Sequence, residues 1–233
     1  MTPRLYISYG MTKTGSTLAY HIARTVLEEA GFAQPQLSER ALGAVRRINY
    51  VDDLTEGLVA AILNEAPGPI VIKTHQRPTP TVADMLAEGT AMGHACLRDP
   101  RDMALSMLDH GARARAKGHL PFAEFAQIDD TLPSLRDQAE TLRQWRALPG
   151  ILTLSYDQIA FGEDAAPILI AAQMGLPVAP GAARRAKDGH FTQFNKGIPD
   201  RHRSEMAAAD AERIATLFPE LVALAAQPNV ARQ

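Results

Sequence analysis

Cysteine is almost absent: Cys96 is the only one in 233 residues, which excludes an internal disulfide framework and fits a reducing compartment. An excess of one charge is lacking too. Twenty-four Lys and Arg against 26 Asp and Glu leave a formal net charge of −2, so nothing basic argues for nucleic acid or a membrane surface as partner. No apolar run approaches the ~18 to 20 residues of a membrane span. No signal-peptide core precedes the first apolar segment at Leu5, so export is not expected. Internal repeats, low-complexity tracts and dividing linkers are also missing. These features lead us to expect a cytoplasmic protein whose residues 1–233 form a single domain with a well-buried core.

What is present begins at Gly10-Met11-Thr12-Lys13-Thr14-Gly15-Ser16-Thr17. The spacing of its two glycines is that of a nucleotide-phosphate cradle. Ser16 occupies the slot where a nucleoside triphosphatase needs lysine, and the cation sits earlier, at Lys13. Leu5-Tyr6-Ile7-Ser8-Tyr9 ahead of the loop reads as a buried strand, and Leu18, Ile22, Val26 and Ala30 behind it read as one face of a helix. A strand, a glycine turn and a helix start bring free N–H groups and the positive end of a helix dipole to one point, which attracts an anion. Gly15 permits close approach of the backbone, and Ser16 and Thr17 add hydroxyls. Serine and threonine also favour an ordinary N-cap, so the motif alone leaves both readings open.

Further strands are expected at Ile70–Thr74, Gly93–Leu97 and Ile151–Ser155. Helical patterns cover about 53–65, 80–88, 102–115, 132–147, 164–174 and 204–217. Strands separated by helices imply parallel pairing and a three-layer α/β sandwich around a central parallel sheet. Segments 31–52, 111–131 and 178–203 lack a pattern and are where pocket walls are expected. In such a sheet the ligand lies beyond the carboxyl ends of the strands. There the first strand delivers the Lys13 loop, and the second Lys73-Thr74-His75. The third delivers Arg98-Asp99-Pro100-Arg101-Asp102 and a helix with Ser106, and the fourth Tyr156-Asp157.

This ordered set resembles the sulfotransferases that use 3′-phosphoadenosine 5′-phosphosulfate (PAPS), a family with a P-loop nucleotide-hydrolase-like fold. Residues 11–17 are similar to the family's P-K-S-G-T-T loop, which implies that Lys13, Thr14, Gly15, Ser16 and Thr17 bind the 5′-phosphosulfate. Lys73-Thr74-His75 matches the K-T-H that carries the family's catalytic histidine. Arg98-Asp99-Pro100-Arg101-Asp102 with Ser106 resembles the arginine and serine that grip the 3′-phosphate. Tyr156-Asp157-Gln158-Ile159 is similar to the family's Y-E-D-L, and Asn195-Lys196-Gly197-Ile198 to its R-K-G-I. By that likeness Tyr156 touches adenine, while Lys196 and Gly197 close over the 3′-phosphate.

Elementary chemistry agrees. Sulfuryl transfer, like phosphoryl transfer, is an in-line displacement in which charge builds on the leaving oxygen, so positioning and electrostatics dominate. Lys13 is expected to stabilise that oxygen and Lys73, on the same strand face as His75, the transferring group. His75, with an ordinary pKa near 6.5, is expected to take a proton from a hydroxyl or amine of a small-molecule acceptor. No strand-ending aspartate is placed for magnesium, so no metal is expected. His94 and Cys96 share a strand face, but two ligands do not make a metal site. His21 is read as a helix-surface residue, and Arg101 as an N-terminal cap or a partner of Asp102.

Three departures from the family pattern stand out. Leu18 replaces the aromatic that stacks on adenine, and the only tryptophan, Trp145, lies in a distant helix. Asn195 replaces an arginine, with Arg201 or Arg203 as possible substitutes. The chain is short for the family, which implies trimmed acceptor loops. The acceptor pocket is expected from 31–52, 77–93, 107–131 and 178–194, where Phe122, Phe125, Phe191 and Phe194 are wall or core. A small-molecule kinase using ATP and a non-catalytic nucleotide-binding module are the competing readings. Neither the acceptor nor the oligomeric state can be read from the residues.

Overall fold

The structure, a computed structural model, describes residues 2–118, 121–188 and 196–227. Phe191, Phe194 and Asn195 lie outside the described residues. Four parallel strands, β1 (Leu5–Gly10), β2 (Ile70–Thr74), β3 (Ala91–Leu97) and β4 (Ile151–Ser155), pair in the order β2-β1-β3-β4. Residue Ile7 stands between Ile72 and Gly93 in register. The second strand lies on one side of β1 and the third on the other, so the order reverses between β1 and β3. A doubly wound sheet opens a crevice at that switch point.

The helices are α1 (Ser16–Glu29), α2 (Glu39–Leu42), α3 (Glu56–Glu65), α4 (Pro80–Ala87), α5 (Pro100–Ala116) and α6 (Ile128–Ala147). They continue with α7 (Tyr156–Ala160), α8 (Ala165–Met174), α9 (Ala182–Asp188), α10 (His202–Glu205), α11 (Ala208–Leu217) and α12 (Pro219–Ala225). Alternation along β1 divides the core. Leu5, Ile7 and Tyr9 pack with Met103, Leu135 and Trp145 on one face. Tyr6 packs with Ile22, Val26, Ile159 and Ile170 on the other. With both faces covered, β1 is buried along its whole length, as a central parallel strand must be. Among the described residues no helix is long and apolar enough to cross a membrane.

Several expectations need correction. The helix expected over 204–217 is two, because Met206 and Ala207 are extended between α10 and α11. Helix α6 starts at Ile128, four residues early, where Gln127 and Asp130 form a capping box. His21 is not a surface residue: it is 2% exposed and meets Tyr20 edge-on. Helix α1 packs against α8, α9 and β2, and His21 is among its many buried residues. Arg101 pairs with Asp99, the N-cap of α5, whereas Asp102 is buried and pairs with Arg98 and His202.

Candidate active site

The loop after β1 is shaped by its two glycines. A Cβ on Gly10 would lie 2.6 Å from Ser16 Cβ, so only glycine lets the chain turn back on itself there. Gly15 has a φ of 74° and caps α1 without a side-chain acceptor. The first N–H groups of α1 thus have no side-chain cap, and Ser16 stands at the first helical position rather than at the N-cap. Lys13 also has a positive φ, 67°. Thr14 points inward and donates to Met11 O at 2.6 Å, so its side chain fastens the loop rather than facing the cavity. Gln138 of α6 accepts from the backbone and hydroxyl of Thr12 and holds the loop from outside.

A cavity of about 550 Å³ opens over the β1/β3 switch point. Lys13, Gly15, Ser16 and Thr17 line it from the first loop, Lys73 and His75 from β2, Arg98 and Ser106 from β3 and α5, and Tyr156 from β4. The expected residues from Lys13 to Tyr156, Thr14 excepted, therefore converge on one crevice. Lys196 and Gly197 do not line it: Lys196 is paired with Glu205 at 2.7 Å, and Gly197 takes a turn at φ 62°. Arg201 is buried against Asp109 and Glu205, and Arg203 is exposed beside Asp200, so neither reaches the cavity. Among the described residues no group of three or more metal-binding side chains is gathered; His94 meets Ser8 Oγ at 2.8 Å instead.

His75 sits between two strong partners. Its Nδ1 donates to Gly10 O at 2.6 Å, which leaves Nε2 as the acceptor, and Lys73 Nζ lies 2.6 Å from Nε2. Burial, and then the Lys73 charge, push the imidazole down to about 3, far from the ordinary value expected from sequence. Burial lowers Lys73 to about 7 and Lys13 to about 8. All three shifts have one origin, cations and imidazole held together out of water. An anion placed among them would raise all three.

Arg98 is 7% exposed and lies over the Tyr156 ring at 3.9 Å, so Tyr156 supports the guanidinium. Arg98 Nη2 donates to Asp102 and to Ile198 O, while Nε is buried and has no hydrogen-bond partner among the described residues. A buried donor left open beside Ser106 suits a phosphate.

Two neighbours of Lys13 and His75, His110 and Tyr50, escaped the sequence. His110 Nδ1 lies 2.5 Å from Lys13 Nζ, and Phe122 covers both, 4.3 Å from Lys13 and 4.5 Å from His110 between ring centres. Tyr50 reaches His75 because residues 49–51 run beside β2, where Lys73 N donates to Asn49 O and Val51 N to Lys73 O. Nothing in their spacing marks these residues; only the seriation Ser106, His110 along one turn of α5 offered a signal. Phe122 is cavity wall and Phe125 core. Trp145, remote in sequence, stacks on Tyr9 and donates to Gln76 O at 2.8 Å, bracing the residue after His75.

A family model for the sulfotransferase domain matches residues 5–162. No curated protein matches the chain in sequence. Among solved structures, retinol dehydratase in complex with androsterone and inactive cofactor PAP is 15% identical, with a TM-score of 0.59 over 98% of this chain and 83% of that one. Retinol dehydratase with retinol and PAP gives 16% identity and a TM-score of 0.60 over 99% and 84%. A mouse sulfotransferase complexed with PAP gives 14% and 0.59 over 94% and 83%. At such identities the likeness is one of fold.

Proposed function

The chain belongs to the sulfotransferase family, and from that premise we propose that it moves a sulfuryl group from PAPS to a hydroxyl or amine of a small-molecule acceptor, with His75 as general base. One observation carries the reading: Lys13, Lys73, His75 and Arg98, from three strand ends, face one cavity at the switch point. The PAP bound in the structural neighbours supports PAPS as donor. We also read residues 1–233 as one domain, since α8 and α9, beyond the family match, pack on α1 in one core. The lone buried Cys96 supports a cytoplasmic location.

The residues fit that donor. The uncapped start of α1, with Ser16 and Thr17, holds the phosphosulfate, and Arg98 Nε with Ser106 holds the 3′-phosphate. PAPS supplies an activated sulfuryl group on a bisphosphate leaving group. Lys13 stabilises charge on the departing 5′-phosphate oxygen. Lys73 turns from His75 to the transferring group, which frees Nε2 to take the acceptor proton. The Gly10 carbonyl holds the ring in the tautomer that this requires. Leu18 at the cavity wall gives adenine an apolar contact in place of an aromatic one.

The test is sulfate transfer from PAPS, with 3′,5′-bisphosphate binding measured by calorimetry. His75→Ala is expected to lose activity by about 10²–10⁴-fold while bisphosphate affinity stays within a few-fold. Full activity of that variant rejects the base. Tighter binding of ATP with magnesium than of the bisphosphate rejects the donor and favours a kinase.

A further inference from the structure

Residues 196–205 reach the donor side of the site without walling it: none of them lines the cavity. Their contact runs through helix α5. Asp102, in the first turn of that helix, is 3% exposed and has both carboxylate oxygens engaged. Oδ2 accepts from Arg98 Nη2 at 3.2 Å, and Oδ1 accepts from the backbone N–H and from Nδ1 of His202, each at 2.9 Å. Ile198 O accepts from the same Arg98 nitrogen at 3.4 Å. A second tie fastens the segment two turns further along α5, where Arg201 pairs with Asp109 at 2.8 Å.

A carboxylate paired with arginine only accepts, so the His202 ring carries its proton on Nδ1. Three N–H donors thus fix the plane of one buried carboxylate, and that carboxylate fixes the edge of the guanidinium facing it. The arginine fork is rigid. Once Nη2 is held by Asp102 and Ile198, and the flat face rests 3.9 Å over Tyr156, the direction of Nε follows. Nε is the donor beside Ser106 at the proposed 3′-phosphate site. Without the His202 ring, Oδ1 keeps one N–H from that residue, and a carboxylate that swings about Cβ–Cγ turns the fork away from the phosphate. Docking of the segment does not by itself require this carboxylate, because Arg201 already ties it to Asp109. His202 nevertheless directs both its backbone and its ring donor to the acid that holds Arg98.

We propose that His202 and Asp102 are positioning residues for the donor: His202 holds Asp102, Asp102 holds Arg98, and this chain sets the preference for a nucleotide with a 3′-phosphate over one without it. This rests on the sulfotransferase reading. The segment 196–205 then serves the 3′-phosphate from behind Arg98 rather than by touching it.

The experiment measures calorimetric Kd values for adenosine 3′,5′-bisphosphate and for ADP on the full chain and reads their ratio. The wild-type protein is expected to prefer the bisphosphate. His202→Ala is expected to reduce that preference about fivefold or more, with ADP affinity within about twofold of wild type. His202→Asn, whose amide N–H stands in for Nδ1–H, is expected to restore most of it. Asp102→Asn sets an N–H against a donor on one side or the other, and is expected to reduce the preference about tenfold or more. It carries the test if His202→Ala does not fold. A purely structural role would lower Tm and weaken both ligands alike. An unchanged ratio, a parallel loss of both ligands, or an asparagine variant no better than alanine at position 202 overturns the proposal. Failure of the sulfotransferase reading looks different: the wild-type protein itself would not bind the bisphosphate, or would bind ADP more tightly.

Discussion

Lys73 carries the largest burden of any side chain at the site. It is almost fully buried, and its pKa falls from 10.5 to about 7 because the interior penalises its charge. Below pH 7 both folded and unfolded chains hold the proton, so the penalty is fully present. Between pH 7 and 10.5 the unfolded chain keeps a proton that the folded chain has lost, so stability from this group rises with pH. Lys73→Met is therefore expected to raise the Tm of the ligand-free protein by a few degrees at pH 6.5, with the gain shrinking toward pH 10. Its transfer rate should fall about 10²-fold or more. Thermal unfolding across pH and a PAPS assay check both. His110 makes a second residue-scale case. Its contact with Lys13 at 2.5 Å orients the cation proposed to stabilise the leaving group. His110→Ala is expected to lower kcat about tenfold or more with little change in donor Kd, read from steady-state kinetics beside calorimetry.

Among elements, the loop between β1 and α1 is the most constrained. Gly10→Ala sets a methyl 2.6 Å from Ser16 Cβ and 3.1 Å from Cys96 Cβ. The backbone must shift, costing about 1–3 kcal/mol and at least tenfold in bisphosphate affinity, as urea unfolding and calorimetry would show. This loop was legible in the residues, because a glycine turn between a strand and a helix has few geometries. The same held for Lys73-Thr74-His75 and for Arg98 with Ser106, each at a strand end or one helix turn from it. Tyr50 was not legible. Its position depends on two backbone hydrogen bonds to Lys73 from a segment without periodic pattern. Lys196 is a different case: it pairs with Glu205, nine residues on, and is not among the residues that line the cavity, a choice of partner that its sequence context does not mark. Asp102 accepts from both the N–H and the ring of His202 and so fixes the start of α10, a long-range contact that no periodic pattern marks.

For the whole molecule, the cavity's cationic lining sets both ligand choice and salt dependence. Bisphosphate at a hundred times its Kd adds about 2.7 kcal/mol to stability, which raises Tm by about 5–10 °C. ADP lacks the 3′-phosphate for which Arg98 and Ser106 are the proposed site, so its shift at equal concentration is expected to be less than half as large. Raising ionic strength from 0.05 to 0.5 M is expected to weaken bisphosphate binding, since part of the lining is open to solvent. A salt-independent Kd in thermal-shift titrations contradicts that picture.

The residues alone determined the parallel sheet, the order of its strand-end motifs and the displaced lysine of the first loop. Local geometry and alternation of apolar residues act over short distances, and these features need nothing more. Only the tertiary structure decided how strongly His75, Lys73 and Lys13 perturb one another, because desolvation and Coulomb forces depend on distance in space. It also decided which arginines line the cavity. Arg46 and Arg113 lie 67 positions apart in the sequence and share one cavity because the segment leading to residues 49–51, beside β2, and helix α5, after β3, both wall the crevice, a juxtaposition that depends on long-range packing.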